Sequence, residues 1–337
     1  MRLAGISEYS LVRRIMERFG SKAEGIIVGI GDDAAVITLD PGKALVVTCD
    51  LLLEGVHFDL SYISPRQLGW KALAVNLSDI AAMGAEPRFS FLSLGLPPQT
   101  EIHFFDEFFQ GYQALGDKFH TCLCGGDLVS SPLGLVINVT VVGQIEKSSV
   151  VTRAGAKPGN LLAVTGFPGG SAAGLALLKN GCLGKLPPSV EKELLKAHLE
   201  PFPRIHEGRL LALEHIASAL NDISDGLARE VKEIAEASDV GAIIYGERLP
   251  LSEAVKFAGN YLKQDSVLWA LSGGEDYELV FTLPPENQAK LEMLHKMGTP
   301  VTIIGEITGA KGVLYVELAN RKRVSLDHFG YDHFKMG

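Results

Sequence analysis

Gly29-Ile30-Gly31-Asp32-Asp33-Ala34 can be read in two ways, and the choice decides the fold. Its glycine spacing fits the GxGxxA fingerprint of a dinucleotide-binding unit, and Asp50 falls near the usual distance for a ribose-binding acid. That fingerprint must open a helix whose N-terminus receives a pyrophosphate. Here Val36-Ile37-Thr38-Leu39 is a strand-forming run that stops at the turn signal Asp40-Pro41-Gly42. Two adjacent carboxylates would also repel a phosphate. The stretch therefore reads as a metal-binding turn between strands with Asp32 as a ligand, the alternative being a plain turn aspartate.

Five more acidic knots punctuate apolar runs: Thr48-Cys49-Asp50, Asn76-Leu77-Ser78-Asp79, Gly125-Gly126-Asp127, Asp222-Ile223-Ser224-Asp225-Gly226 and Gly273-Gly274-Glu275-Asp276. Carboxylates that follow apolar strands lie near a sheet edge, where a fold can bring several together. Gathered there, they repel one another unless a cation holds them. Hard oxygen ligands without Cys or His companions favour Mg²⁺ or Mn²⁺ over zinc. The commonest use of such a multi-metal site is handling the phosphates of a nucleotide.

Around the first turn, 25–30, 34–39 and 43–49 are short β-branched runs, and the turn at 40–42 predicts a hairpin between the last two. An amphipathic pattern before them predicts a first helix within 1–20. Further helices are expected over 64–83, ending at Gly84, and over 101–119, with strands over 89–96, 121–124 and 133–142. The polar stretch 152–159 is the best boundary, giving domains 1–150 and 151–337. A strand at 161–165, a Gly-rich turn and a helix over 171–179 come next, then a mobile-looking stretch marked by Pro187, Pro188, Pro201 and Pro203. Hairpins mixed with helices in both halves point to an α+β fold more than to a doubly wound parallel sheet.

At 337 residues with 47% apolar and 21% charged residues, the chain has enough material for a sizeable core. A formal charge of −9 and the lack of a Lys/Arg cluster argue against nucleic acid as a partner, and bound cations would offset part of that charge. No apolar run is long enough for a transmembrane helix, and the first twenty residues do not read as a signal peptide. Cys49, Cys122, Cys124 and Cys182 lack metal-site spacing, so free thiols in a reducing cytoplasm are expected.

Other motifs have plain explanations beside the functional one. The 222–226 knot is no EF-hand, because its glycine is fifth and a helix follows over 227–237. Asp222 is expected to end a strand, with Ser224 or Asp225 capping that helix. Gly166-Phe167-Pro168-Gly169-Gly170-Ser171 resembles a phosphate cradle but equally fits a tight turn feeding a helix N-terminus. No GxxxxGK[ST] occurs. His57 and Arg153, taken alone, fit a structural histidine and a solvated charge.

Together the knots resemble the thiamine-monophosphate kinase family, of the superfamily that also holds aminoimidazole ribonucleotide synthetase and selenophosphate synthetase. The resemblance rests on 29–35, 48–58, 76–87, 125–127, 152–159, 222–227, 272–279 and Gly-Tyr-Asp-His-Phe at 330–334, in family order. It implies a two-domain PurM-like fold. The N-terminal domain would bind ATP and metal and pair through its sheet into a homodimer, and the C-terminal domain would close over the nucleotide. The implied reaction moves the γ-phosphoryl group of ATP directly onto thiamine monophosphate, giving thiamine diphosphate without a phosphoenzyme. By resemblance, Asp32, Asp50, Asp79, Asp127 and Asp222 are Mg²⁺ ligands, helped by Thr48 and the Cys49 backbone, with Asp225 holding a further ion. Tyr112, Gly126, Asp127, Arg153 and Ser224 would contact ATP, and His57, Glu275 and Tyr331 the thiamine side.

Two positions depart from the family pattern: Leu128 stands where Thr is usual, and Asn221 where an apolar residue is common. Selenophosphate synthetase would need a reactive Cys before the 31–33 knot, and none is there. Against the purine enzyme, Glu-Gly-Val-His-Phe (54–58) and the 273–279 stretch favour the thiamine side. A non-catalytic nucleotide or metal sensor is the remaining alternative.

Overall fold

The computed structural model describes residues 8–20, 24–30, 34–318 and 320–331. Asp32, Asp33 and the last residues of the 330–334 motif lie outside the described residues. Two compact units divide the chain: Met1–Ile80 with Ala85–Ser148, and Ala81–Gly84 with Ser149–Gly337.

The first unit opens with α1 (Glu8–Phe19), β1 (Ile26–Val28), β2 (Val36–Ile37) and β3 (Lys43–Leu53). It continues through α2 (Pro65–Ala82), β4 (Glu86–Leu96), α3 (Ile102–Lys118), β5 (Cys122–Ser130) and β6 (Val136–Glu146). β1 and β2 pair antiparallel as a small ribbon. The hairpin expected across the 40–42 turn does not form. β3 instead pairs with β6 from Lys43↔Glu146 to Leu53↔Val136. The physical reason is ladder length, since β2 offers 2 residues and β6 offers 11. The resulting sheet has the order β3-β6-β4-β5, with only β4 and β5 parallel.

Residues opposite one another on these ladders share a face. Thr48, Asp50 and Leu52 therefore lie beside buried Val141, Val139 and Ile137. The other face of β3 carries Leu45, Val47, Leu51 and Leu53, which are 49%, 56%, 52% and 38% exposed.

α2 is fixed at both ends by local chemistry. Gln67 N donates to Ser64 Oγ at 3.3 Å while the Gln67 side chain accepts from Ser64 N at 3.1 Å, a reciprocal capping box ahead of Pro65. At the other end Gly84 turns left-handed (φ +67°). α2 and α3 then touch backbone to backbone. A Cβ on Gly69 would lie 1.9 Å from the Phe108 carbonyl oxygen, and one on Gly111 would lie 1.7 Å from that of Arg66.

The second unit runs β7 (Leu161–Thr165), α4 (Gly170–Lys179), α5 (Pro188–Leu199), α6 (Ile205–Leu213), β8 (Ala219–Asp222) and α7 (Leu227–Ser238). Then come β9 (Gly241–Tyr245), α8 (Glu253–Leu262), α9 (Ser266–Ser272), β10 (Leu279–Leu283) and α10 (Glu292–Lys296). β11 (Val301–Thr308), β12 (Leu314–Glu317) and β13 (Arg323–Ser325) complete it. The seven strands are ordered β13-β12-β9-β11-β7-β10-β8, and β12 with β9 is the parallel pair. Leu227, Val231 and Ile234 of α7 pack on Leu162, Val164 and Ile304 of the sheet. The proline-marked stretch beyond 187 holds an ordered helix, α5. Pro188 occupies its first turn, where a missing N–H costs nothing. No described helix is long and apolar enough to cross a membrane.

The α2–α3 crossing inverts an ordinary expectation. Replacing Gly by Ala in a helix interior stabilises by about 1 kcal/mol on propensity alone. Gly111→Ala should instead destabilise by about 2 kcal/mol or more through overpacking, seen as a lower melting temperature by circular dichroism. A melting temperature at or above that of the parent would contradict the backbone contact.

Candidate active site

In the first unit, β3 presents Thr48 and Asp50 on one face, and α2 brings Asp79 to them. Thr48 Oγ1 donates to Asp79 Oδ2. Burial first, and then the charge of Asp79 and a hydrogen bond with it, push the Asp50 carboxyl up to about 7. The Cys49 side chain projects to the opposite face, where Asn138 Nδ2 lies 3.2 Å from Sγ and also donates to the Asp50 carbonyl at 3.2 Å. Asp127 is exposed on β5, three strands from β3, or about 14 Å at the usual strand spacing. It is not brought to Asp50 and Asp79.

Gly126 has no room for a side chain, because a Cβ there would lie 1.8 Å from the Leu92 carbonyl oxygen. Tyr112 is buried, with Phe108 and Phe19 ring centroids at 6.4 and 6.5 Å. It lines a cavity of about 500 Å³ with Arg18, Arg88, His120, Cys122 and Leu123. The last two begin β5, the strand that carries Gly126 and Asp127. His57 follows β3, and its Nδ1 accepts from Leu53 N at 3.0 Å. The neutral ring consequently carries its proton on Nε2, as a donor.

In the second unit, β8 and β10 knit the 222–226 and 273–278 knots together. Asp222 pairs with Leu279, Ile223 N donates to the Glu278 carbonyl at 2.8 Å, and Glu275 N donates to the Ser224 carbonyl at 2.7 Å. Neither Ser224 nor Asp225 caps α7. Gly226 occupies the cap without a side-chain bond. Glu230 reaches back from the first turn instead, accepting from Asp225 N at 3.1 Å and Ser224 Oγ at 3.3 Å. Burial, then the charge of Asp222, pushes Glu230 up to about 8. Asn221 Nδ2 donates to Glu230, and Asn221 Oδ1 accepts from Arg153 Nε at 3.0 Å. The departure at Asn221 thus has a use: it ties Arg153 to the acid that organises the knot. Arg153 also meets Glu233 at 3.2 Å.

Glu275 and Tyr277 both adopt left-handed backbone, at φ +66° and +52°. Glu275 Oε2 lies 3.5 Å from His198 Nδ1, which is 3.0 Å from Ser171 Oγ. Asp276 accepts from Gly169 N at 2.6 Å and Ser171 N at 3.1 Å. The 166–171 turn is therefore filled by a carboxylate of this chain. Glu278 takes the guanidinium fork of Arg204 at 2.7 and 2.6 Å and the Thr165 hydroxyl at 2.6 Å. Tyr331 is 49% exposed, and its N–H donates to the Asp225 carbonyl at 3.0 Å. Sequence reasoning missed Glu230, His198 and Arg204, whose partners are distant or look like ordinary first-turn acids and surface cations.

Among the described residues, no three His, Cys, Asp or Glu side chains form a cluster suited to an ion. Asp50 faces Asp79, and Glu230 feels the charge of Asp222. These donors suit a hard cation. They are carboxylate and hydroxyl oxygens, and the like-charged Asp50–Asp79 pair becomes fully ionised at lower cost when positive charge arrives.

Residues 31–145 match the AIR synthase related protein N-terminal domain, and residues 157–317 its C-terminal domain. The chain is 40% identical over 332 residues to thiamine-monophosphate kinase of Escherichia coli (strain K12), covering 97% of this chain and 98% of that one. The crystal structure of thiamine-monophosphate kinase from Stenotrophomonas maltophilia K279a superposes with a TM-score of 0.82 at 35% identity, covering 93% and 96% of the two chains. AaThiL complexed with AMPPCP and TMP superposes with a TM-score of 0.78 at 34% identity, covering 99% of each. The chain belongs to the thiamine-monophosphate kinase family.

Proposed function

We infer that this chain moves the γ-phosphoryl group of ATP onto the phosphate of thiamine monophosphate, giving thiamine diphosphate. The near-complete likeness to a relative complexed with AMPPCP and TMP carries the reading. Two anions must meet in line, and Mg²⁺ at the site would cancel their mutual repulsion. In the first unit Thr48, the Cys49 backbone, Asp50 and Asp79 would hold Mg²⁺, and in the second unit, taken by itself, Asp222 and Asp225 would hold Mg²⁺. Asp32 and Asp127 are further proposed ligands, Asp127 for an ion apart from the one at Asp50 and Asp79.

The base of the nucleotide fits the cavity at Tyr112. β5 bulges between Leu123 and Gly125, so Gly126 stands two strand positions, or about 7 Å, beyond Leu123, a span suited to the phosphate chain. Asp127 would meet those phosphates, and in the second unit Arg153, through a permanently charged fork, and Ser224 are the proposed ATP contacts. His57 can donate from Nε2 to the acceptor phosphate. Glu275 and the Tyr331 ring suit the cationic thiamine moiety. The attacking oxygen belongs to an already anionic phosphate, so no side-chain nucleophile is needed.

The reading includes a homodimer joined through the exposed Leu45, Val47, Leu51 and Leu53 face of β3, because an apolar strip of that kind favours burial. It also places the enzyme in the cytoplasm, where ATP is at hand and four unpaired thiols persist.

Purified protein with ATP, Mg²⁺ and thiamine monophosphate should form thiamine diphosphate and ADP. If an amidine or selenophosphate product forms instead with the matching substrates, the reading fails. ATP that binds with Mg²⁺ but is never consumed would point to a sensor. Asp79→Asn should lower turnover by about 100-fold or more while the fold survives. It should also raise the stability of the metal-free protein. The folded pKa of Asp50 lies above its unfolded value, so that stability contribution is full at low pH and lost as pH rises through about 7. In EDTA, the variant should melt a few degrees above the parent at pH 8, with the gap closing toward pH 4. Equal melting at pH 8 would remove the Asp50–Asp79 repulsion. Val47→Glu with Leu51→Glu should convert a dimer to monomers by analytical ultracentrifugation, and an intact dimer would clear β3 of that role.

A further inference from the structure

Arg229 lies on the first turn of α7, where the 222–226 knot meets the segment that carries Tyr331. Its Nη1 donates to the Tyr331 carbonyl at 2.9 Å. Its Nε stands 3.3 Å from Glu233 Oε1 and 3.6 Å from Asp225 Oδ2. Tyr331 N in turn donates to the Asp225 carbonyl at 3.0 Å. Both backbone polar groups of Tyr331 are thereby taken by one turn of structure. Gly330 makes the fit possible. It sits at φ +100°, and a Cβ there would lie 2.9 Å from that of Arg229. Upstream, Lys232 Nζ holds Asp327 Oδ1 at 2.5 Å, and Leu326 is fully buried.

We propose that Arg229 is a positioning residue that seats the Tyr331 ring for the thiamine moiety and locks that seat to the backbone of Asp225. The proposal rests on the reading that Tyr331 contacts thiamine monophosphate. An aromatic ring can select a ligand only if its backbone stays put. With N–H and carbonyl both fixed, the ring has only its own rotamers to lose on binding. The guanidinium suits the task because it can serve the Tyr331 carbonyl and the neighbouring acids at once, which a single ammonium does less well. Fixing the ring from the Asp225 turn also means that the residue proposed for a cation and the one proposed for the substrate keep a constant separation.

The test uses Arg229→Met, Arg229→Lys and Tyr331→Leu in the full chain. Loss of one solvent-exposed hydrogen bond predicts that Arg229→Met raises KM for thiamine monophosphate about five- to tenfold, with KM for ATP within about twofold. Arg229→Lys should recover part of that loss. Amide hydrogen exchange at Tyr331 should accelerate about tenfold in Arg229→Met, while the melting temperature changes little. The proposal is overturned if Arg229→Met leaves both KM for thiamine monophosphate and exchange unchanged while Tyr331→Leu raises that KM. It is also overturned if both KM values rise together, the mark of a merely structural role. Should Tyr331→Leu itself leave KM for thiamine monophosphate unchanged, the substrate assignment of Tyr331 has failed and the proposal falls with it.

Discussion

Carboxylates held close together under burial set the terms on which both units are built. Burial pushes Asp50 up to about 7, Glu230 to about 8 and Asp276 to about 7, and neighbouring acids add to each shift. The chain answers with donors of its own. Asp79 receives the Thr48 hydroxyl, Glu230 receives Asn221 and the Asp225 amide, and Asp276 receives two amides at the start of α4. At Glu278 it answers with a full cation, since the Arg204 fork fills both carboxylate oxygens. These acids differ in what they leave for a ligand. Glu278 is neutralised by Arg204 and Asp276 is held by two amides, whereas Asp50 meets another carboxylate. An added cation gains most where the protein has left like charges facing each other.

How much of this could be read from the sequence depended on how local its cause was. α2 was legible from Ser64-Pro65 to Gly84 because its caps are made by residues within a few positions of the ends. The strand at 161–165 was legible from its own apolar run. The partner of β3 was not, because the turn at 40–42 is local while the ladder with β6 joins residues about a hundred positions apart. The helix in the proline-marked stretch was hidden by reading Pro187 and Pro188 as breakers instead of as a helix start.

The site divides in the same way. The acidic knots announced themselves by residue type, whereas the grouping of Thr48, Asp50 and Asp79 was implied only by the family resemblance and is made in the structure by β3 and α2. The apparent phosphate cradle at 166–171 could be settled only by finding Asp276, 105 positions away from Ser171, in its amides. Asn221 looked like an unexplained departure until its amide proved to join Arg153 to Glu230. No pattern within α7 marks Glu230 as more than an acid in a first helical turn, a position acids favour anyway.

The 275–278 segment shows how one short motif can hold buried, tied acids beside a more exposed one. Left-handed backbone at Glu275 and at Tyr277 costs on the order of 1 kcal/mol each and persists only where the surroundings over-determine it. The surroundings do so through alternate residues. Asp276 is tied to the start of α4, Glu278 to Arg204 and Thr165, and Tyr277 N to the Ile223 carbonyl at 2.9 Å. Removing any of these anchors would let the strained turn relax, so their value lies in direction as much as in stability. What they direct is Glu275, whose side chain keeps 25% exposure against 13% for Glu278. Two carboxylates are committed to the fold while the third keeps more of its surface open.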